Sequence, residues 1–109
     1  MIPELSAKIA DVSGVCREFG VLRLEVFGSA ATGDWDPVCS DFDFLVTYPA
    51  GWDYGGWMTR HFDFEERLAL ALGRPVDLVI AKGRYRNPYF DAEVQRTRQV
   101  VFDAAEGAG

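Results

Sequence analysis

The sequence predicts an α/β fold, a small mixed β-sheet flanked by helices, in one domain spanning 1–109. Three observations predict it. Apolar residues switch along the chain between the three- to four-residue spacing of helices and the two-residue alternation of strands. The two kinds of segment follow one another as helix, strand, short helix, strand, helix, strand, helix, an order that layers helices on a sheet. Finally, 109 residues with 49% hydrophobic and 14% aromatic content suffice for a core without metal or disulfide staples. At this length no second domain is expected, and any metal is expected to be catalytic, not structural.

Each element has its own signal. Leu5, Ile9, Val12, Val15 or Cys16, and Phe19 line one helix face, with Pro3 at the start and Gly20 at the C-cap, which predicts a helix over 4–19. VLRLEVF (21–27) alternates with period two and reads as the first strand. It ends at Gly28-Ser29, and Ala30-Ala31-Thr32 has the composition of one helical turn before Gly33. Residues 34–40 contain Pro37 and little periodicity, and read as a loop. DFDFLVTY (41–48) is the second strand, closed by Pro49 and Gly51. Met58, Phe62, Leu68 and Leu72 predict a helix over 56–72 that stops at Gly73. RPVDLVI (74–80) is the third strand. A last helix from about Pro88 carries Phe90, Val94, Thr97 and Val101 on one stripe, and the terminal AAEGAG reads as frayed.

Seventeen acidic against 11 basic residues give a formal charge of -6, which argues against a nucleic-acid binder working through a broad basic face. Lys82, Arg84 and Arg86 nonetheless fall close together, with Tyr85 expected to stand exposed among them, and read as a contact for phosphate or an acidic partner. The same run also reads as an ordinary solvated turn. Cys16 and Cys39 have neither zinc nor disulfide-framework spacing, and a reducing cytoplasm fits best. The amino-terminal segment lacks the pattern of a signal peptide, and no apolar run is long enough to span a membrane.

Three acids sit where folding explains them poorly. Asp41 and Asp43 lie two apart on a strand, so their carboxylates project from one face with about 7 Å between α-carbons. Asp77 is embedded in PVDLVI, where an unpaired buried acid costs several kcal/mol or shifts its pKa. If the strands of Asp41 and Asp77 are adjacent, three carboxylates converge and require cations. Magnesium suits such a site, because it takes few protein ligands and completes its shell with water and substrate phosphates. Gly28-Ser29 supplies the complement, a strand end where backbone approaches closely and a hydroxyl and N–H groups meet an anion.

The run VFGSAATGDWDPVCSDFDFLV resembles the signature of the DNA polymerase β nucleotidyltransferase superfamily, with a Gly-Ser pair before Asp-x-Asp and a third Asp on a later strand. Length, the GSAATG form, the RPVDLV strand and the RNPYF segment (86–90) are similar to its minimal nucleotidyltransferase (MNT) branch, the antitoxins of HEPN toxins. The spacer of 11 residues between Ser29 and Asp41 is one longer than is usual in that branch, which implies a changed loop and not a lost site.

The resemblance implies a single-domain nucleotidyltransferase fold. It also implies that Asp41 and Asp43 bind two magnesium ions, that Gly28 and Ser29 hold the triphosphate of ATP, and that Asp77 completes the metal site and helps deprotonate the acceptor. The implied reaction transfers AMP to a tyrosine of a HEPN ribonuclease and silences it. Two alternatives remain open: transfer to a small hydroxylated molecule such as an antibiotic, and a catalytically idle module that neutralises the toxin by binding alone.

Taken singly, each motif has a plainer reading. Ser29 alone reads as a helix cap, and an isolated Asp-x-Asp as a solvated strand end. Their order along one chain, with Asp77 downstream, turns the balance toward a site. His61 has no second ligand at metal spacing and reads as structural. Trp35, Trp52 and Trp57 are expected to flank the site, where one stacks on adenine, or else to cover core edges or meet the partner.

Overall fold

The alternation of β2 divides the molecule. In the computed structural model, described for residues 2–33 and 41–105, β2 (Phe42–Thr47) buries Phe42, Phe44 and Val46 on one face and turns Asp43 and Leu45 to the other. Its neighbours complete a four-stranded mixed sheet in the order β3-β2-β1-β4. β1 (Arg23–Phe27) runs antiparallel to β2 and to β4 (Gln99–Asp103), and β3 (Val76–Ile80) runs parallel to β2.

The parallel pair requires a crossover, supplied by a 3-10 turn at Gly56–Met58 and the helix α4 (Thr59–Leu72). Gly73, at φ 70°, stops that helix in the left-handed conformation its sequence position suggested. α4 and α2 (Ile9–Phe19) together cover the face of Leu24, Val26, Phe42, Phe44 and Leu78, with Val12, Cys16, Phe64 and Leu68 filling the layer. At the end of β2 remote from Asp43, Tyr48 stacks on Trp52 at 3.8 Å, and the Trp52 indole donates to the Phe19 carbonyl at 2.7 Å. His61 is buried there, its Nδ1 2.7 Å from the Tyr48 hydroxyl, which fits its structural reading.

The opposite face carries a smaller cluster, Phe27 and Leu45 under Val94 and Phe90 of α5 (Pro88–Thr97). Asn87 caps α5 by accepting from the N–H groups of Tyr89 and Phe90. Beside the cluster, buried Glu25 accepts from Arg98 through both carboxylate oxygens, at 2.8 and 2.9 Å.

Two predicted boundaries are corrected. The helix expected over 4–19 is two pieces, α1 (Pro3–Ser6) and α2, separated at Ala7 and Lys8. The Ile2 N–H donates to the Ala30 carbonyl at 3.1 Å and Leu5 is fully buried, so the first turn is tied to the short helix α3 (Ser29–Thr32). The last helix, expected to run through Val101, stops at Thr97, and Arg98 is extended. The stripe residue Val101 instead belongs to β4, which covers the free edge of β1. That pairing is non-local, and the apolar run Val100–Phe102 supports either reading over so short a distance. The predicted loop 34–40, with Trp35 and Cys39, lies outside the described residues, as do Met1 and 106–109.

Candidate active site

The site is assembled at one end of the sheet, on the face opposite the α2–α4 layer. In the β2–β3 ladder Asp43 stands directly beside Asp77, and in the β1–β2 ladder it stands beside Phe27. Neighbouring strands lie about 4.8 Å apart, so the Asp43 and Asp77 side chains share one face as near neighbours. Asp41 immediately precedes β2 and is exposed, while Asp43 is half-buried.

The electrostatics follow from this crowding. The Asp43 carboxyl is pushed up to about 6, first by burial and then by the charges of Asp77, Asp41 and Glu93. Glu93 was not singled out from the sequence. It comes from α5, packed over this face, and nothing in the spacing of a distant helix announces such an approach. Among the described residues, no group of three or more His, Cys, Asp or Glu side chains stands ready to hold a metal ion. The oxygen donors of Asp43 and Asp77, side by side in the ladder, are of the kind a hard cation takes when its other ligands come from substrate and water.

Asp77 differs from its sequence reading in one respect. It was expected to be an acid enclosed by apolar neighbours, yet it is exposed. β3 is an edge strand, and the apolar residues beside Asp77 in sequence point to the other face or lie further along the sheet. Position beside Asp43, not burial, is what makes Asp77 noteworthy.

Gly28 closes the other side. It adopts φ 73° and ψ -148°, a region reserved in practice for glycine. A β-carbon placed there would come within 3.2 Å of Asp43 Oδ2, so the turn passes directly against the carboxylate. The Gly28 N–H is not open to a ligand: it donates to the Thr97 hydroxyl at 2.8 Å. The Gly28 carbonyl accepts from Ala31 and Thr32. Ser29, only partly buried, opens α3 beside this turn.

The remaining candidates fall elsewhere. Trp52 and Trp57 do not flank the acids, because α4, about 20 Å long, separates its amino-terminal end from the β3 end that carries Asp77. Trp57 is 94% exposed at that remote end. Lys82, Arg84 and Arg86 are exposed on the loop after β3, but Tyr85 is not displayed among them. It is half-buried, its hydroxyl donating to the Ile80 carbonyl at 3.0 Å and its ring edge-on to Phe90. Tyr85 therefore does not mark this loop for a partner.

A strand-end glycine turn against one of two neighbouring acids, with a third acid two residues upstream, invites comparison with known proteins. The family model for the nucleotidyltransferase domain matches residues 12–105. The chain belongs to the nucleotidyltransferase domain family. Among solved structures, a minimal nucleotidyltransferase is 30% identical to this nucleotidyltransferase, with a TM-score of 0.66 over 87% of this chain and 90% of its own. A toxin–antitoxin complex with AMP-PNP matches at 20% identity and a TM-score of 0.64, over 96% of this chain and 77% of the other. A complex of a tri-AMPylated Shewanella oneidensis HEPN toxin with MNT antitoxin matches at 16% identity and a TM-score of 0.61, over 95% and 76%. At those two identities the likeness is one of fold. No curated protein matches the chain. Among the described residues, no helix is long and apolar enough to cross a membrane.

Proposed function

We propose that this nucleotidyltransferase is the antitoxin of a HEPN–MNT pair, and that it transfers AMP from ATP to a tyrosine hydroxyl of its HEPN toxin in a magnesium-dependent reaction. The observation that carries the reading is the registry of Asp43 with Asp77, with the Gly28 turn so near that a β-carbon placed there would lie 3.2 Å from Asp43 Oδ2. The fold shared with an AMP-PNP complex and with an AMPylated toxin's complex supports it.

In this reading Asp41 and Asp43 hold the magnesium ions, and Asp77 completes the set. Burial first, and then the charges of Asp77, Asp41 and Glu93, raise the Asp43 pKa, and a bound dication would relieve the repulsion among these acids. When bound, two such ions neutralise charge on the attacking and leaving oxygens of an in-line displacement. The Ser29 hydroxyl and the turn beside Gly28 receive the triphosphate. The acceptor oxygen bonds to the α-phosphorus, the bond from that phosphorus to the bridging oxygen breaks, and pyrophosphate leaves. In this reading Asp77, exposed at the sheet edge, takes the acceptor's proton. An exposed edge also suits an acceptor carried by another protein, which is the partner class this reading requires.

A second reading is neutralisation by contact alone. Incubating the purified protein with magnesium, α-labelled ATP and the HEPN protein encoded beside it separates the two. Label on the partner, lost in the Asp41→Asn, Asp43→Asn variant, is the expected result. A stable, protected and unlabelled partner would select the contact reading.

A further inference from the structure

Thr97 is a buried polar residue that nothing in the reaction above uses. It ends α5, and its hydroxyl has two partners. It donates to the Glu93 carbonyl at 2.7 Å, within its own helix, and accepts from the Gly28 N–H at 2.8 Å, across 69 residues of sequence. The first bond is common for a helical threonine. The second joins α5 to the turn that passes against Asp43.

Three constraints meet at Gly28. Its conformation, φ 73° and ψ -148°, is one that no other residue type adopts readily. Its N–H is buried, so it needs a partner. Its α-carbon is close enough to Asp43 that a β-carbon would reach the carboxylate at 3.2 Å. A rotation of this peptide would move the wall of the site relative to Asp43, and on its N–H side the bond to the Thr97 hydroxyl opposes that rotation. Next along the chain, Arg98 grips Glu25 of β1 through two hydrogen bonds, which anchors the Thr97 backbone to the strand that leads into Gly28.

We propose that Thr97 is a positioning residue for nucleotidyl transfer: acting through the Gly28 N–H, its hydroxyl sets the distance between the phosphate-receiving turn and the Asp43 carboxylate. The proposal rests on the reading of Gly28-Ser29 as the triphosphate turn. Buried and acting through the Gly28 N–H, Thr97 is a positioning and not a catalytic residue in this proposal. It also explains why the Gly28 N–H is withheld from the ligand, since a donor used to fix the turn is not available to bind phosphate.

The test compares Thr97→Val, which keeps the shape and removes the hydroxyl, with Thr97→Ser, which keeps the hydroxyl. Kinetics of AMP transfer from magnesium ATP to the HEPN partner are measured beside thermal stability and the hydrogen exchange of the Gly28 amide. Val12→Ala, in the core of the opposite face, serves as a control for lost stability. Thr97→Val is expected to lower kcat/KM for ATP about tenfold or more, as misplacement of a reacting group does. Thr97→Ser is expected to restore it, and Val12→Ala to lower the Tm with kcat/KM unchanged. A Thr97→Val enzyme with a lower Tm but wild-type kcat/KM would overturn the proposal. Should Thr97→Val not fold, Thr97→Ala against Thr97→Ser carries the same contrast. If the wild-type protein transfers no nucleotide, the functional reading fails, while the exchange measurement still decides the Thr97–Gly28 link. Faster Gly28 exchange in the variant without the hydroxyl supports the link, and unchanged protection overturns it.

Discussion

The two faces of one strand divide the labour of this molecule. On one face of β2, Phe42, Phe44 and Val46 are fully buried beneath α2 and α4. On the other, Leu45 is buried under α5, but Asp43, two residues earlier, meets the charges of Asp77, Asp41 and Glu93. Strand alternation alone puts the two sets about 3.4 Å apart along the backbone and on opposite sides. The difference teaches that the apolar face supplies the stability that the acidic face spends part of. A repelling cluster is held together because the strands carrying it are fixed from behind.

Substitutions on the two faces should therefore separate stability from chemistry. Phe44→Ala is expected to cost about 3 to 5 kcal/mol of folding stability, the range for deleting a buried aromatic side chain, with the site chemistry lost only through unfolding. Denaturant titration measures it; a loss below about 1 kcal/mol would mean that the α2–α4 layer is not the main core. Asp41→Asn with Asp43→Asn should leave folding intact and lower AMP transfer on the order of a hundred- to a thousandfold, comparable to removing transition-state stabilisation elsewhere. Retained transfer would separate the acids from the chemistry.

Gly28→Ala should affect both properties at once. This positive-φ backbone costs a residue other than glycine about 1 to 3 kcal/mol, and the added methyl meets Asp43 Oδ2 at 3.2 Å. Lower stability together with lower kcat/KM is the expected pair. A change in Tm alone would mean that the turn relaxes away from the carboxylate.

The smallest effect is the most diagnostic of crowding. Because the folded-state Asp43 pKa is raised from 3.8 to about 6, the folded protein holds that proton more tightly than the unfolded chain does. The contribution is full below about pH 4 and is lost as the pH rises toward about 6. In metal-free protein at pH 7, Asp43→Asn should therefore be more stable than wild type by about 1 to 2 kcal/mol after solvent screening of a half-exposed group. The advantage should vanish near pH 4, and saturating magnesium should reverse it at neutral pH. Urea midpoints across that range measure this, and a variant less stable at pH 7 without metal would contradict the crowded-acid picture.

Much of this was legible in the sequence because its causes are local. Alternation in DFDFLV separates the Asp face from the Phe face, and Gly20 and Gly73 stop their helices through left-handed caps. The Gly28-Ser29 turn is likewise local. What the sequence hid depends on contacts between distant segments. β4 is a strand because the edge of β1 lies beside it. Glu93 reaches the acids, and Thr97 reaches Gly28, only because α5 crosses that face. Asp77 looked enclosed because its sequence neighbours are apolar, whereas an edge strand leaves it in water. Trp52 is open in sequence to stacking on a nucleotide or to covering a core edge, and its ring, stacked on Tyr48 at the remote end of β2, does the second.

The central claim is that the acidic end of this sheet moves AMP onto a partner protein. Its most direct test is the intact mass of the HEPN partner after coexpression with wild-type protein and with the Asp41→Asn, Asp43→Asn variant, together with the partner's ribonuclease activity. Partner carrying one or more adenylates on tyrosine and inactive with wild type, and unmodified and active with the variant, is the result expected. Unmodified partner that is silenced equally by both proteins would contradict the claim.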